Sequence, residues 1–94
     1  MVDLDPLAFC IMNAMADDWE SINQIEPQVT RFFGPAERRD IFSVLRHIHE
    51  SKYIAIRSEE GHELAEWPGC PETAWFCMTD LGRRLWAENG RKYE

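Results

Sequence analysis

The chain has little base, little cysteine and no long apolar run, and each shortage removes a class of protein. Ten Lys and Arg stand against seventeen Asp and Glu, a formal charge of −7. Taken whole, such a chain is a poor non-specific binder of polyanions, because affinity for nucleic acid rests on neutralised phosphates. Its three cysteines, Cys10, Cys70 and Cys77, are odd in number and irregularly placed, unlike a disulfide-stapled secreted framework. Six residues separate Cys70 from Cys77, which is not a zinc-knuckle spacing, and His47 and His49, two apart, leave a helix on different sides. No apolar stretch approaches the ~20 residues of a membrane span. The start, Met1-Val2-Asp3-Leu4-Asp5, is acidic where a secretory leader is basic, so a cytoplasmic protein is expected, with no membrane partner. With no Gly-rich phosphate loop, no Ser/His/Asp constellation and no metal-ligand run, neither an enzyme nor a cofactor or metal site is expected.

What is present is enough apolar material, 45% of 94 residues, to fold a single domain over 1–94 without staples. Asp5-Pro6 reads as a cap and first helical residue, and Leu7, Cys10, Ile11 and Ala14 follow at helical spacing, predicting a helix over 6–16. Residues 19–22 form a short extended piece. Ile22, Ile25, Val29 and Phe32 or Phe33 make the stripe of a second helix, stopped by Gly34. Ser21-x-x-Gln24 resembles a capping box, but Pro27 favours a later start, near Asn23. A third helix over 36–51 carries Ile41, Val44, Leu45 and Ile48 on one face and Arg39, Ser43, Arg46 and Glu50 on the other. Residues 53–57 and 74–78 read as paired strands on either side of a long acidic loop over 58–73. Thr79-Asp80 caps a last helix bearing Leu81, Leu85 and Trp86, which Asn89-Gly90 ends, before a frayed tail over 91–94. The expected core is Ile11, Ile25, Val29, Ile41, Val44, Leu45, Ile48, Ile54, Phe76 and Leu81.

The fold class is therefore mainly α with a small antiparallel β element, in the order α-(β)-α-α-β-β-α. Two segments sharpen it: Ile41-Phe42-Ser43-Val44-Leu45-Arg46-His47-Ile48-His49-Glu50-Ser51-Lys52-Tyr53-Ile54, and Trp75-Phe76-Cys77-Met78-Thr79-Asp80-Leu81-Gly82-Arg83-Arg84-Leu85. With the helices before them, they resemble a winged helix-turn-helix domain of small prokaryotic transcription regulators. The first looks like a recognition helix entering a wing strand, the second like the returning strand and the T-x-x-G start of the final helix. The resemblance implies a DNA-binding transcriptional regulator and dimerisation by terminal helices, although the final helix here is short.

The only net-basic stretch is 34–58, where Arg38, Arg39, Arg46, Lys52 and Arg57 outweigh Glu37, Asp40 and Glu50. Arg39, Ser43 and Arg46 are the leading candidates for contact with double-stranded DNA, since arginine reaches guanine edges or phosphates and serine either. Arg38 and His47 flank them; Lys52 and Arg57 flank the first strand and are candidates for backbone phosphates, with ordinary surface charge as the plainer reading of both. The plain alternative is a solvated face with Arg46 and Glu50 paired at i,i+4. Arg83 and Arg84 stand at a helix start, where the dipole disfavours cations, and suggest an outside anion. A DNA-reading wing usually presents base, yet Glu59, Glu60, Glu63, Glu66 and Glu72 have no Lys or Arg among them. A second function class follows: a protein-interaction module offering Glu63, Glu66 and Trp67 to a basic partner, imitating or displacing DNA. The plain alternative for Trp67 is a ring folded back over the sheet.

Overall fold

In the computed structural model, which describes residues 4–92, the starts of three helices follow local side-chain chemistry. Helix α1 (Pro6–Ala14) opens with the Asp5 carboxylate accepting from the Ala8 N–H at 2.7 Å and Pro6 in the first position. It closes two residues short of the expected end, where the Met15 and Ala16 N–H groups turn back to the Met12 and Asn13 carbonyls. Helix α2 (Ile22–Phe32) corrects the later start preferred above. Gln24 Oε1 accepts from the Ser21 N–H at 2.8 Å, so the capping box sets the start and Pro27 lies inside the helix. Its ring forfeits one bond to the carbonyl four residues back, on an exposed face, and the helix continues through it. Gly34, at φ +123°, turns the chain into α3 (Arg38–Glu50), which begins two residues later than the periodicity predicts.

Strand β1 (Ile54–Arg57) pairs antiparallel with β3 (Trp75–Met78), Ile54 opposite Met78 and Arg57 opposite Trp75. The 58–73 segment is not simply a loop. The chain turns through Gly61, at φ +92°, and returns at once as β2 (Glu63–Leu64), which pairs with the other edge of β1. A single 3-10 turn, Pro71–Thr73, then leads into β3. The strand order is β2-β1-β3, and the expected extended piece near residue 20 contributes one bridge to β3, through both backbone groups of Glu20 and Phe76. The described residues form an α+β fold of four helices and a three-stranded antiparallel sheet. No helix among the described residues is long and apolar enough to cross a membrane.

Helix α4 (Asp80–Gly90) is pinned to the end of α3 by a compact backbone joint. The Lys52 N–H bonds the His49 carbonyl and the Tyr53 N–H bonds the Ile48 carbonyl, the two bonds of a Schellman motif. The residue that must turn left-handed there is Lys52, at φ +67°. Thr79 grips the same turn: its hydroxyl donates to the Lys52 carbonyl at 2.8 Å, its N–H to the Tyr53 carbonyl at 3.1 Å, and its oxygen accepts from the Gly82 N–H at 3.1 Å. Gly82 is buried against the Tyr53 backbone, where any Cβ would collide with the carbonyl. A left-handed L-residue costs roughly 1–2 kcal/mol, partly offset by the greater chain entropy glycine loses on folding. Lys52→Gly is expected to raise stability by about 1 kcal/mol, read as a melting temperature about 4–8 °C higher. No rise would mean the joint already accommodates the lysine without strain.

Ile11, Ile25, Val29, Ile41, Leu45, Ile48, Ile54 and Phe76 are buried as their spacing predicts. Two expected core residues are not: Val44 is half-buried and Leu81 is 47% exposed. The cause for Leu81 is the joint, which turns Gly82, Leu85 and Asn89 inward on one face of α4 and leaves Leu81 outside. Met12, Met15, Ile22 and Ile56 are fully buried as well, and Leu4, Ala8, Cys10, Ala74, Met78 and Leu85 also belong to the core. Helix α4 ends at Gly90, within the expected Asn89-Gly90 stop, and Asn89 does more than mark that end. It is buried, its Oδ1 accepting from the Leu4 N–H and its Nδ2 donating to the Leu85 carbonyl, both at 2.9 Å, so it ties the start of the chain to α4. Of the expected tail at 91–94, residues 93 and 94 lie outside the described residues, and 91–92 form an exposed turn.

Candidate functional site

Because Ile41, Leu45 and Ile48 face inward, α3 presents Arg39, Ser43, Arg46 and His47 to solvent along its opposite side. Each arginine of the helix has an acidic neighbour. Arg39 Nη2 lies 3.2 Å from Glu37, both side chains largely exposed at 84% and 71%. Arg46 Nε lies 3.6 Å from Glu50, the i,i+4 pair expected from the sequence. Exposed pairs of this kind contribute at most about 1 kcal/mol, so both guanidinium groups can change partner cheaply. Arg38 differs. Its Nε donates to Glu26 at 3.1 Å and its Nη2 to Asn23 Oδ1 at 2.9 Å, which ties the start of α3 to α2.

The remaining candidates are brought together only in part. Ser43 and His47 line a cavity of about 490 Å³ between α1 and α3, with Leu4, Ala8 and Tyr53 among its walls. Lys52 is exposed but belongs to the α3–α4 joint. The Arg57 guanidinium stacks 4.1 Å from the Trp19 ring centroid, a cation–π contact, and stands opposite Glu63 in the sheet register. A groove of about 670 Å³ separates the end of α3 from the β1–β2 hairpin. Arg46, His49 and Lys52 line it together with Glu50, Glu63 and Glu66, so the two signs of charge share one channel.

Trp67 is half-buried rather than displayed. Its ring meets Phe42 edge-on at 6.3 Å and Phe76 at 6.0 Å, closing the sheet as the plain alternative had it. Glu63 and Glu66 are exposed beside it. Arg83 has an internal partner instead of an outside anion: its Nη1 donates to the Ala16 carbonyl at 2.7 Å and closes the end of α1, while Arg84 is exposed.

Two features escaped the sequence reading. His49 is a groove residue, although its position two from His47 suggested no shared site. Phe32 and Phe33, placed on the apolar stripe of α2 by spacing, are both in solvent. The α2 stripe reaches the core through Ile22, Ile25 and Val29, and its last turn overhangs a groove beside α1.

Burial pushes the Cys10 thiol up, away from the reactive thiolate. Burial, with Asp18 and then Asp17 alongside, raises the Glu20 carboxyl above its ordinary range. Among the described residues, no three His, Cys, Asp or Glu side chains converge as a metal site. No family model, curated protein or solved structure matches the chain.

Proposed function

We propose that the chain is a winged helix-turn-helix domain that binds double-stranded DNA, as a transcriptional regulator does, with α3 in the major groove. The reading rests on one observation above all: the outer face of α3 is free of covering structure and carries Arg39, Ser43, Arg46 and His47 in the chain's only net-basic stretch. The order of three helices, a three-stranded sheet and a fourth helix supports it. So does the weakness of the Arg39–Glu37 and Arg46–Glu50 pairs, which compete poorly with phosphates whose neutralisation releases condensed counterions. In this account Arg38 and Arg57 serve the fold, and base reading falls to Arg39 and Ser43.

The second reading, a protein-interaction module, has its own observation. Glu50, Glu63 and Glu66 stand in the groove beside α3, where DNA phosphates would be repelled and a basic protein segment accepted. In that account Glu63 and Glu66 are the contacts, and Trp67 supports the hairpin from beneath.

Titration of duplex DNA of mixed sequence at low and rising salt separates the two. Wild type is expected to bind at low salt, with Arg46→Ala shallowing the salt dependence by about one charge. Arg39→Ala is expected to cost about 1–3 kcal/mol, chiefly on a preferred sequence. Neither change should move the melting temperature, since both side chains are exposed. Absence of binding at low salt, where attraction is strongest, would sink the DNA reading and leave the basic protein partner.

A further inference from the structure

The cavity of about 490 Å³ between α1 and α3 has the size and the make-up of a small-molecule site: an apolar floor with a few polar groups around it. Leu4, Ala8, Val44 and Ile48 supply the floor, and three of them belong to the core. Backbone bonds hold the walls in place. The Leu4 N–H donates to Asn89 Oδ1 at 2.9 Å, and the Ile48 carbonyl accepts from the Tyr53 N–H at 2.9 Å. The Ser51 hydroxyl donates to the His47 carbonyl at 3.2 Å. A site built this way needs little ordering when a ligand enters.

The polar groups choose the occupant. Asp5 is the one full charge of the cavity, because neither Lys nor Arg lines it. One carboxylate oxygen accepts from the N–H of Ala8, itself a wall residue, at 2.7 Å, and none of the ion pairs among the described residues engages the other. Ser43, His47 and Tyr53 line the same space, and their hydroxyls and imidazole have no hydrogen-bond partner among the described residues. An anion would meet a carboxylate and find no counter-charge. A wholly apolar ligand would strip water from these polar groups and return nothing. A small cation with an apolar body satisfies both halves, and an aromatic body covers the most apolar surface for the fewest frozen rotations.

We propose that this cavity binds a small arylalkyl ammonium ion, its ammonium group on the second oxygen of Asp5 and its ring on Ala8, Val44 and Ile48. The assignment rests on the cavity's own residues and holds whether or not α3 meets DNA.

The test is isothermal titration calorimetry of the free protein at about 0.15 M salt, where the general pull of a −7 chain on any cation is screened. The probes are tryptamine and two molecules of similar shape, the neutral tryptophol and the anionic indole-3-acetate. Tryptamine is expected to bind with a Kd of about 0.1 mM and the other two at least about tenfold more weakly. Asp5→Asn keeps a capping side chain and removes the charge, and is expected to weaken tryptamine about tenfold. Glu59→Gln removes the same charge from the turn after β1, outside the cavity, and is expected to change nothing. Ser43→Phe, which fills the space from an exposed position, is expected to abolish binding, with circular dichroism melting as the check on its fold. Amide shifts on titration of labelled wild type should centre on Ser43, His47 and Tyr53. No binding of tryptamine by wild type up to about 5 mM, or equal affinity for the three probes, overturns the proposal. So do equal losses in Asp5→Asn and Glu59→Gln, or shifts centred away from the cavity.

Discussion

Gly82→Ala is expected to lower stability by about 3 kcal/mol, against the ordinary sign of that substitution. Inside a helix, alanine is normally favoured over glycine by up to about 1 kcal/mol. Here the helix is held against another part of the backbone. The added Cβ would meet the Tyr53 carbonyl, a backbone atom already fixed by the Thr79 N–H and by the Schellman turn before it. Neither side can yield as a flexible side chain would. Relief requires α4 to move off the joint, which breaks the Thr79 bonds to Lys52 and Tyr53 and loosens the Leu85 and Asn89 faces behind them. Urea denaturation followed by circular dichroism measures the change. A stability equal to or above wild type would show that α4 is not seated as closely as described. Because the whole stability of such a domain is only about 5–15 kcal/mol, the loss is large enough to read without ambiguity.

Phe76→Ala is expected to cost about 3–5 kcal/mol, the largest effect of any single truncation in the chain. Phe76 has no exposed surface and stands at a crossing of contacts. Its backbone pairs with Ile56 on one side and with Glu20 on the other, and its ring is one of the two under Trp67. Removing the ring leaves a cavity beneath Trp67, which is itself held edge-on by Phe42 of α3. The sheet, the hairpin and α3 lose a common support at once. Phe76→Leu, which keeps most of the volume, should cost less than half as much. The check is the difference in free energy between the two variants from denaturant titration. Equal costs would mean that the Phe76 site collapses around either side chain, leaving no cavity to charge for.

The capping chemistry of three helix starts stands in the sequence, although there Pro27 favours a later start for α2. Asp5-Pro6, Ser21-x-x-Gln24 and Thr79-x-x-Gly82 each mark a start by which side chain reaches which free N–H, a matter of a few consecutive residues. Pro27 misled the reading of α2 because a proline's cost weighs little on an exposed face once a cap and three buried residues hold the helix. The outward face of α3 was readable from period alone, since Ile41, Leu45 and Ile48 leave it only one way to lie. The Arg46–Glu50 pair was readable from i,i+4 spacing, but the tie of Arg38 to Glu26 was not. The partner of Arg38 lies twelve residues away on α2, and the stacking of Arg57 on Trp19 joins residues from separate parts of the chain.

By itself, then, the order of residues determined the α+β class, the four helices, the β1–β3 pairing and the side of α3 that meets water, because periodicity and capping are properties of neighbouring residues. The tertiary structure alone decided that 58–73 folds back as β2 with Trp67 beneath it, that Leu81 lies outside and Asn89 inside, and that Phe32 and Phe33 are exposed. Each of these depends on which surface another element happens to cover. That covering is set by the packing of whole helices and strands: a helical stripe says which side chains share a face, and only the neighbour laid against that face says where it ends.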